Sequence, residues 1–97
     1  DSQIKHNGYR IELGEIETAI LSSNLIKNCC VVYDFNNKKI IMFYQSDGAL
    51  NMAEFRKSVL TRIPKYMMPA EYHREDILQQ NGSGKIDRAY YNKRVNG

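Results

Sequence analysis

Two apolar segments joined by a short polar loop constrain the fold of this chain more than any other feature of its sequence. Asn28–Phe35 and Lys39–Gln45 are rich in β-branched and aromatic residues, and Asn36-Asn37 separates them. Such segments favour β-strands, and the short loop between them predicts an antiparallel hairpin. Both are far shorter than the roughly 20 apolar residues that a membrane helix needs. We therefore expect a globular fold built on this hairpin, and no membrane partner.

Amphipathic helices are predicted on both sides of this hairpin. The first begins near Leu13 and is expected to end around Ser23-Asn24, because four apolar residues recur at helical spacing. These four residues are Leu13, Ile16, Ala19 and Ile20. The second helix is expected to begin after a cap at Asn51 and to end at Pro64. Its apolar stripe consists of Met52, Phe55, Val59 and Ile63.

The remaining segments complete a small α+β domain. Asn7-Gly8 is a strong signal for a tight turn, so Gln3–Ile11 is predicted to form a β-hairpin. A further strand is predicted over Glu71–Glu75, and a short closing helix over about Asp87–Lys93. The 97 residues suffice for one modest core. The expected fold is therefore α+β, with an N-terminal β-hairpin and a roughly three-stranded sheet packed by helices.

Charge and cysteine content narrow the classes of function. The formal net charge is +3, and the basic residues are scattered in pairs, so we expect no nucleic-acid partner. Cys29 and Cys30 are adjacent, and neighbours in a strand point to opposite faces, so a disulfide between them would be strained. Two reduced thiols fit a cytoplasmic protein. No His or Cys pair has zinc-ligand spacing, and we expect no metal site in the chain.

The segment from Asn81 to Lys85 indicates chemistry because two glycines precede a lysine. Gly82 and Gly84 leave the backbone without side-chain bulk, so the loop can approach a ligand closely. Lys85 then presents a compact cation with three donors. A phosphate-binding P-loop needs a longer glycine spacing and a Ser or Thr after the lysine, where this chain has Ile86. Judged alone, the segment also fits a surface turn with a solvated lysine.

The N-terminal segment is the second candidate. Residues 1–17 read DSQIKHNGYRIELGEIE. His6, beside the tight turn, is interpreted as a solvent-exposed residue. Glu15 and Glu17 are interpreted as carboxylates that favour the N-terminus of the first helix. On these residues alone, the segment is a hairpin followed by an acidic helix start.

The two segments resemble the C-terminal subdomain of the adenylate-forming enzymes. This family includes adenylation domains of nonribosomal peptide synthetases, D-alanine–carrier-protein ligases and acyl-CoA synthetases. The resemblance rests, in the family's order, on DSQIKHNGYRIELGEIE, IPKYMMPAEYHRED and NGSGKIDR. The wording GYRIELGEIE is closer to members that activate amino acids than to those that activate fatty acids. Two residues depart from the usual pattern, since Gln79 stands at the position of a proline and Asn81 near that of a threonine.

The resemblance implies roles for particular residues. Lys85 matches the lysine that enters the active site during adenylation, and Gly82 and Gly84 belong to its loop. Asp1 matches the hinge about which the small domain swings. The hairpin residues that are expected to face the active site after the swing, beside the pantetheine tunnel, are Lys5, Gly8 and Arg10.

The resemblance also implies a function. Residues 1–97 are expected to be the mobile lid of an ATP-dependent ligase, which forms an aminoacyl-adenylate and transfers it to the phosphopantetheine thiol of a carrier protein. The large N-terminal domain that binds ATP, Mg²⁺ and the amino acid is expected to be absent, so the chain alone should fold without turnover. Two alternatives are left open. The first is the lid of an acyl- or aryl-CoA synthetase, for which free coenzyme A would be the acceptor. The second is a protein-binding module without catalytic activity.

Overall fold

The computed structural model of the chain describes residues 2–97. The strands in this part of the chain are β1 (Gln3–His6), β2 (Tyr9–Glu12), β3 (Asn28–Asp34), β4 (Lys39–Gln45) and β5 (Glu71–Arg74). The helices are α1 (Leu13–Leu21), α2 (Met52–Val59), a 3-10 helix (Lys65–Met67) and α3 (Arg88–Asn96). The predicted α+β fold with an N-terminal hairpin and a three-stranded sheet is confirmed.

The central sheet has its three strands in the order β3-β4-β5, and β1 and β2 form a separate two-stranded hairpin. β3 and β4 are antiparallel as predicted, with Val31 opposite Met42. β5 runs parallel to β4, with Met42 opposite Tyr72. This parallel pairing was not predicted, because strand order depends on contacts between segments that are distant in sequence.

Both faces of the central sheet are covered, which explains why β3 and β4 are apolar at successive positions. Cys29 and Val31 belong to the larger core, which the sheet shares with α1 and α2. Cys30 and Val32 point to the other face and belong to the smaller core, where Tyr91 of α3 is fully buried. The two cysteines therefore point to opposite faces, as predicted, and both are free thiols.

The helices bury the predicted faces and differ from the prediction at their ends. α1 buries all four residues of its predicted stripe. α2 ends at Val59 instead of at Pro64, because the chain tightens there and the N–H of Arg62 donates to the carbonyl of Val59 at 2.9 Å. α3 starts after Asp87, whose carboxylate caps the helix by accepting a hydrogen bond from the N–H of Tyr90 at 3.0 Å. Among residues 2–97, no helix has the length and apolar character that crossing a bilayer requires.

Candidate functional site

The lysine loop (residues 80–86) is closed at its base and fixed from inside. Gln80 and Ile86 form an antiparallel bridge, and the N–H of Asn81 donates to the carbonyl of Lys85 at 2.7 Å. The side-chain oxygen Oδ1 of Asn81 accepts hydrogen bonds from the N–H groups of Ser83 at 2.9 Å and Lys85 at 3.2 Å. Asn81 departs from the usual family pattern, and in this chain it holds the loop in shape.

The two glycines of the lysine loop differ in what the fold requires of them. Gly84 has a φ of +79°, in the left-handed region that favours glycine. Gly82 has no such φ, and a methyl group added at either position would contact nothing within 4 Å. The backbone therefore favours glycine at position 84, whereas no contact within residues 2–97 calls for it at position 82. Both glycines leave the outer side of the loop open.

The side chain of Lys85 projects outward from this loop. Its side chain is exposed and forms no hydrogen bond or ion pair with another residue between 2 and 97. By contrast, Lys39 is held by Glu71, with 2.6 Å between Nζ and Oε1. An unpaired ammonium keeps its three donors for an anionic ligand. Lys85 is therefore able to approach a phosphate or a carboxylate without first breaking an internal contact.

The turn of the N-terminal hairpin forms a second candidate surface. Asn7 and Gly8 have φ values of 51° and 83°, as their sequence predicts. Lys5 and Arg10 are directly opposite each other in the register, both exposed and without an ion pair to another described residue. Like charges placed opposite each other destabilise a hairpin. With Gly8 they line a cleft of about 570 Å³, which is suited to an anion.

Aromatic contacts attach this hairpin to the rest of the domain. Nδ1 of His6 lies 2.8 Å from the hydroxyl of Tyr33, and their rings meet edge to face at 5.4 Å. Tyr9 stacks on Tyr66 of the 3-10 helix at 3.8 Å. The interpretation of His6 as a solvent-exposed residue was wrong, because the side chain is half-buried and bonded. The hairpin is thus attached through His6 to the central sheet and through Tyr9 to the 3-10 helix, and these contacts fix the orientation of its charged turn.

Sequence reasoning missed the contact between Glu17 and Arg88. Oε1 of Glu17 lies 2.7 Å from Nη2 of Arg88, so this carboxylate does not serve the N-terminus of α1. The N-cap is Glu12, whose side chain accepts hydrogen bonds from the N–H of Gly14 at 3.2 Å and from the hydroxyl of Ser2. The hydrogen bond from Ser2 is the main cause that lowers the pKa of Glu12. A pair separated by 71 positions gives no local signal in the sequence.

The structure does not bring Lys85 and the hairpin cations together. The lysine loop lines a cleft of about 410 Å³ with α1 and the start of β3, and this cleft shares no residue with the hairpin cleft. The predicted site residues thus form two separate surfaces, and the predicted hinge, Asp1, lies outside the described residues. Within residues 2–97, no three His, Cys, Asp or Glu side chains lie together in a way that could hold a metal ion.

The three-dimensional fold matches that of the C-terminal lid of adenylate-forming enzymes. In Klebsiella oxytoca NpsA in complex with 3-hydroxyanthranilyl-AMSN, the match has a TM-score of 0.87 and covers 97% of this chain and 19% of that one, at 20% identity. For an acyl-CoA synthetase from Brucella canis the TM-score is 0.83, the match covers 98% of this chain and 19% of that one, and the identity is 23%. Identities this low show the fold alone.

Relatives in sequence agree with this similarity of fold. The chain is 36% identical over 91 residues to zwittermicin A synthase ZmaJ from Bacillus cereus, a match that covers 91% of this chain and 17% of that protein. It is 34% identical, over an alignment of 105 residues, to a D-alanine–D-alanyl carrier protein ligase from Staphylococcus aureus, covering 100% of this chain and 22% of that protein. The chain therefore spans only a small part of these relatives. No protein-family model matches it. Its homologues are adenylation domains of nonribosomal peptide synthetases and D-alanine–carrier protein ligases, which confirms the resemblance.

Proposed function

We propose that this chain is the mobile C-terminal lid of an ATP-dependent ligase whose ATP- and substrate-binding domain lies outside the chain. The ligase forms an aminoacyl-adenylate and passes the aminoacyl group to the phosphopantetheine thiol of a carrier protein. The observation that carries the proposal is the exposed, unpaired ammonium of Lys85 on a braced loop with two glycines. The fold and the relatives in sequence support it.

Lys85 serves the adenylation step. The carboxylate of the amino acid attacks the α-phosphate of ATP and displaces pyrophosphate, so two anions approach each other and negative charge gathers on the phosphoryl oxygens. An ammonium placed between them offsets this repulsion in the transition state. A preorganised charge of this kind typically contributes about 3 kcal/mol or more. Lysine suits the task because its charge is compact and its stem is long and flexible.

Residues 2–97 fit one part of an ATP site and do not fit a magnesium site. An unpaired cation on an open loop is a suitable partner for a phosphate oxygen. Between residues 2 and 97, no cluster of carboxylates is arranged as metal ligands, so we assign Mg²⁺ and the other ATP contacts to the domain outside the chain. Bound Mg²⁺ supplies neutralisation of the triphosphate charge. The contribution of this chain is the single ammonium of Lys85.

We assign the transfer to the thiol to the N-terminal hairpin. This step needs Lys85 to withdraw and a path for the pantetheine arm to open. Rotation of the lid about a hinge at Asp1 exchanges the lysine loop for the hairpin. Gly8 carries no side chain, so the arm passes close to the backbone of the turn. Lys5 and Arg10, which have no carboxylate partner in the described chain, attract the phosphate of the arm.

A carrier protein is the acceptor that we favour over free coenzyme A. One relative in sequence is named for its carrier protein, whereas the similarity to an acyl-CoA synthetase is a similarity of fold. The cytoplasm is the compartment that we propose, and two reduced thiols, Cys29 and Cys30, are compatible with it. Loading assays with an apo carrier protein, the holo carrier protein and free coenzyme A distinguish the acceptors.

The test separates the two half-reactions in the complete ligase that contains this lid. ATP–pyrophosphate exchange across amino and fatty acids first identifies the substrate. Lys85→Ala is then expected to lower the exchange rate about 100-fold, the equivalent of roughly 3 kcal/mol. Transfer from pre-formed adenylate to the thiol should change much less. Lys57→Ala is the matched control, because Lys57 is an exposed lysine of α2 with no ion pair among the described residues.

Two results would contradict the proposal. If Lys85→Ala lowers exchange and thiol transfer by equal factors, the lysine is not specific to the adenylation half-reaction. If the 97-residue chain alone catalyses exchange, it contains an ATP site of its own and is not a lid.

A further inference from the structure

A closed set of three hydrogen bonds joins α1, β3 and the start of α3. Nη2 of Arg88 donates to Oε1 of Glu17 at 2.7 Å, and Nη1 of Arg88 donates to the carbonyl oxygen of Val31 at 2.6 Å. The N–H of Val31 donates to Oε2 of Glu17 at 2.8 Å. Each residue of the set therefore bonds both others, and we name this arrangement the Glu17–Arg88 clamp.

The clamp closes an edge of the central sheet. β3 is the outer strand on this side, and the N–H and carbonyl of Val31 are the groups that would otherwise be open at the edge. The side chains of Arg88 and Glu17 are only 32% and 18% exposed. Hydrogen bonds between ionised groups are about twice as strong as neutral ones, and partial burial shields them from water. The clamp is thus a defined contact and not a solvated surface pair.

The clamp is connected to Lys85 through a short, fixed stretch of backbone. Ile86 is bridged to Gln80, and the N–H of Asp87 donates to the carbonyl of Gln79 at 2.9 Å. Arg88 follows directly and is the first residue of α3. Only Ile86 and Asp87, both bonded across the base of the loop, separate Arg88 from Lys85, so a shift of the Arg88 backbone moves the end of the lysine loop.

We propose that Glu17 and Arg88 are positioning residues that fix the direction of Lys85 relative to the hairpin. Glu17 lies on α1, which follows the second hairpin strand without a break, so the clamp joins the unit that carries the hairpin to the unit that carries the lysine. The two surfaces then move as one rigid body when the lid swings. This inference rests on the proposed function, since it assigns a role in the placement of Lys85 during adenylation.

Two conservative substitutions are each expected to remove hydrogen bonds from the clamp. Arg88→Lys keeps the positive charge and replaces a planar fork with a point charge, which cannot reproduce both bonds in the same geometry. Glu17→Gln replaces one of the two acceptor oxygens with an amide NH₂ group. This group would face either the guanidinium or the N–H of Val31, and a donor cannot bond a donor. Glu17→Gln keeps the size of the side chain, Arg88→Lys shortens it, and each variant loses part of the set of hydrogen bonds.

The experiment measures both half-reactions of the complete ligase in these two variants. The kcat for adenylation should fall about tenfold or more, because a small misplacement of a reacting group is costly. The KM values and thiol transfer from pre-formed adenylate should change by less than about twofold. The matched control is Arg94→Lys, which alters another arginine of α3 whose carboxylate partner, Glu75, lies 3.0 Å away. This control should leave kcat unchanged.

A double variant separates positioning from stability. If Arg88 acts through Lys85, then Lys85→Ala/Arg88→Lys should be no slower in adenylation than Lys85→Ala alone. If the rate losses of the two single variants multiply in the double variant, Arg88 acts independently of the lysine, and the inference is wrong. An Arg88→Lys enzyme that is indistinguishable from the Arg94→Lys control also overturns the inference. The proposed function then still stands if Lys85→Ala lowers the exchange rate about 100-fold as expected. If Lys85→Ala retains full activity, the proposed function and this inference both fail.

Discussion

The backbone conformation of Gly84 gives a stability prediction whose magnitude follows from the structure. Gly84 has a φ of +79°, and a methyl group at this position would meet no atom within 4 Å beyond its two neighbours in the chain. Gly84→Ala therefore adds no steric contact with the rest of the fold, and its cost is that of the left-handed conformation. For a residue with a side chain this is roughly 1–2 kcal/mol. We expect the free energy of unfolding to fall by about that amount.

Gly82→Ala is the matched control, because it lies in the same loop and has the same open surroundings. Its φ is outside the positive region, so alanine should be neutral or stabilise slightly by restricting the unfolded chain. The two variants change the same atoms and differ only in backbone conformation. For a domain of this size, each 1 kcal/mol corresponds to about 4–8 °C in Tm. Gly84→Ala should therefore melt about 4–8 °C or more below Gly82→Ala.

Urea unfolding and thermal unfolding of the 97-residue chain measure this difference. The urea m-value should be the same in both variants, because neither changes the surface that unfolding exposes. Equal stability of the two variants would refute the reasoning, since the positive φ of Gly84 would then carry no cost. A larger loss in Gly82→Ala would refute it as well.

Two further predictions concern contacts that hold the site elements. Tyr91→Phe should lower the free energy of unfolding, measured by urea titration, by about 1 kcal/mol. The reason is that the buried hydroxyl of Tyr91 accepts a hydrogen bond from the N–H of Gln79 at 2.8 Å. The control is Tyr90→Phe, which should be neutral because Tyr90 is exposed. Hydrogen bonds from the side chain and then the backbone of Asn37 hold the pKa of Asp34 below its ordinary value of 3.8. This group therefore stabilises the fold above that value and loses its contribution as the pH falls through the lower, folded-state pKa. Stability should fall less steeply between about pH 5 and pH 2 in Asp34→Asn than in the wild type, and an equal acid dependence would contradict the assignment.

Features that depend on local sequence were predictable. Asn7-Gly8 specifies its turn through the positive φ that both residues adopt. The apolar spacing in α1 identifies its buried face residue by residue. The alternation of Cys29 and Cys30 between the two cores follows from strand geometry alone. In each case, the controlling residues lie within a few positions of one another.

Features that depend on distant contacts were not predictable. The parallel pairing of β5 with β4 and the contact of His6 with Tyr33 join segments far apart in sequence. Glu17 has the spacing of an ordinary helix carboxylate, and only the folded chain places it against Arg88. The lysine loop could be recognised from its glycines and its lysine. The hydrogen bonds that the side chain of Asn81 makes within the loop could not, because Asn81 reads as a departure from the family pattern.

The most direct measurement is a structure of the complete ligase with a non-reactive acyl-adenylate analogue bound. We expect Nζ of Lys85 within about 3 Å of an oxygen of the acyl or phosphoryl group, with the hairpin turned away from the site. A structure in this state with Lys85 in solvent, remote from both groups, would contradict the central claim that this lysine offsets the charge of the reacting anions.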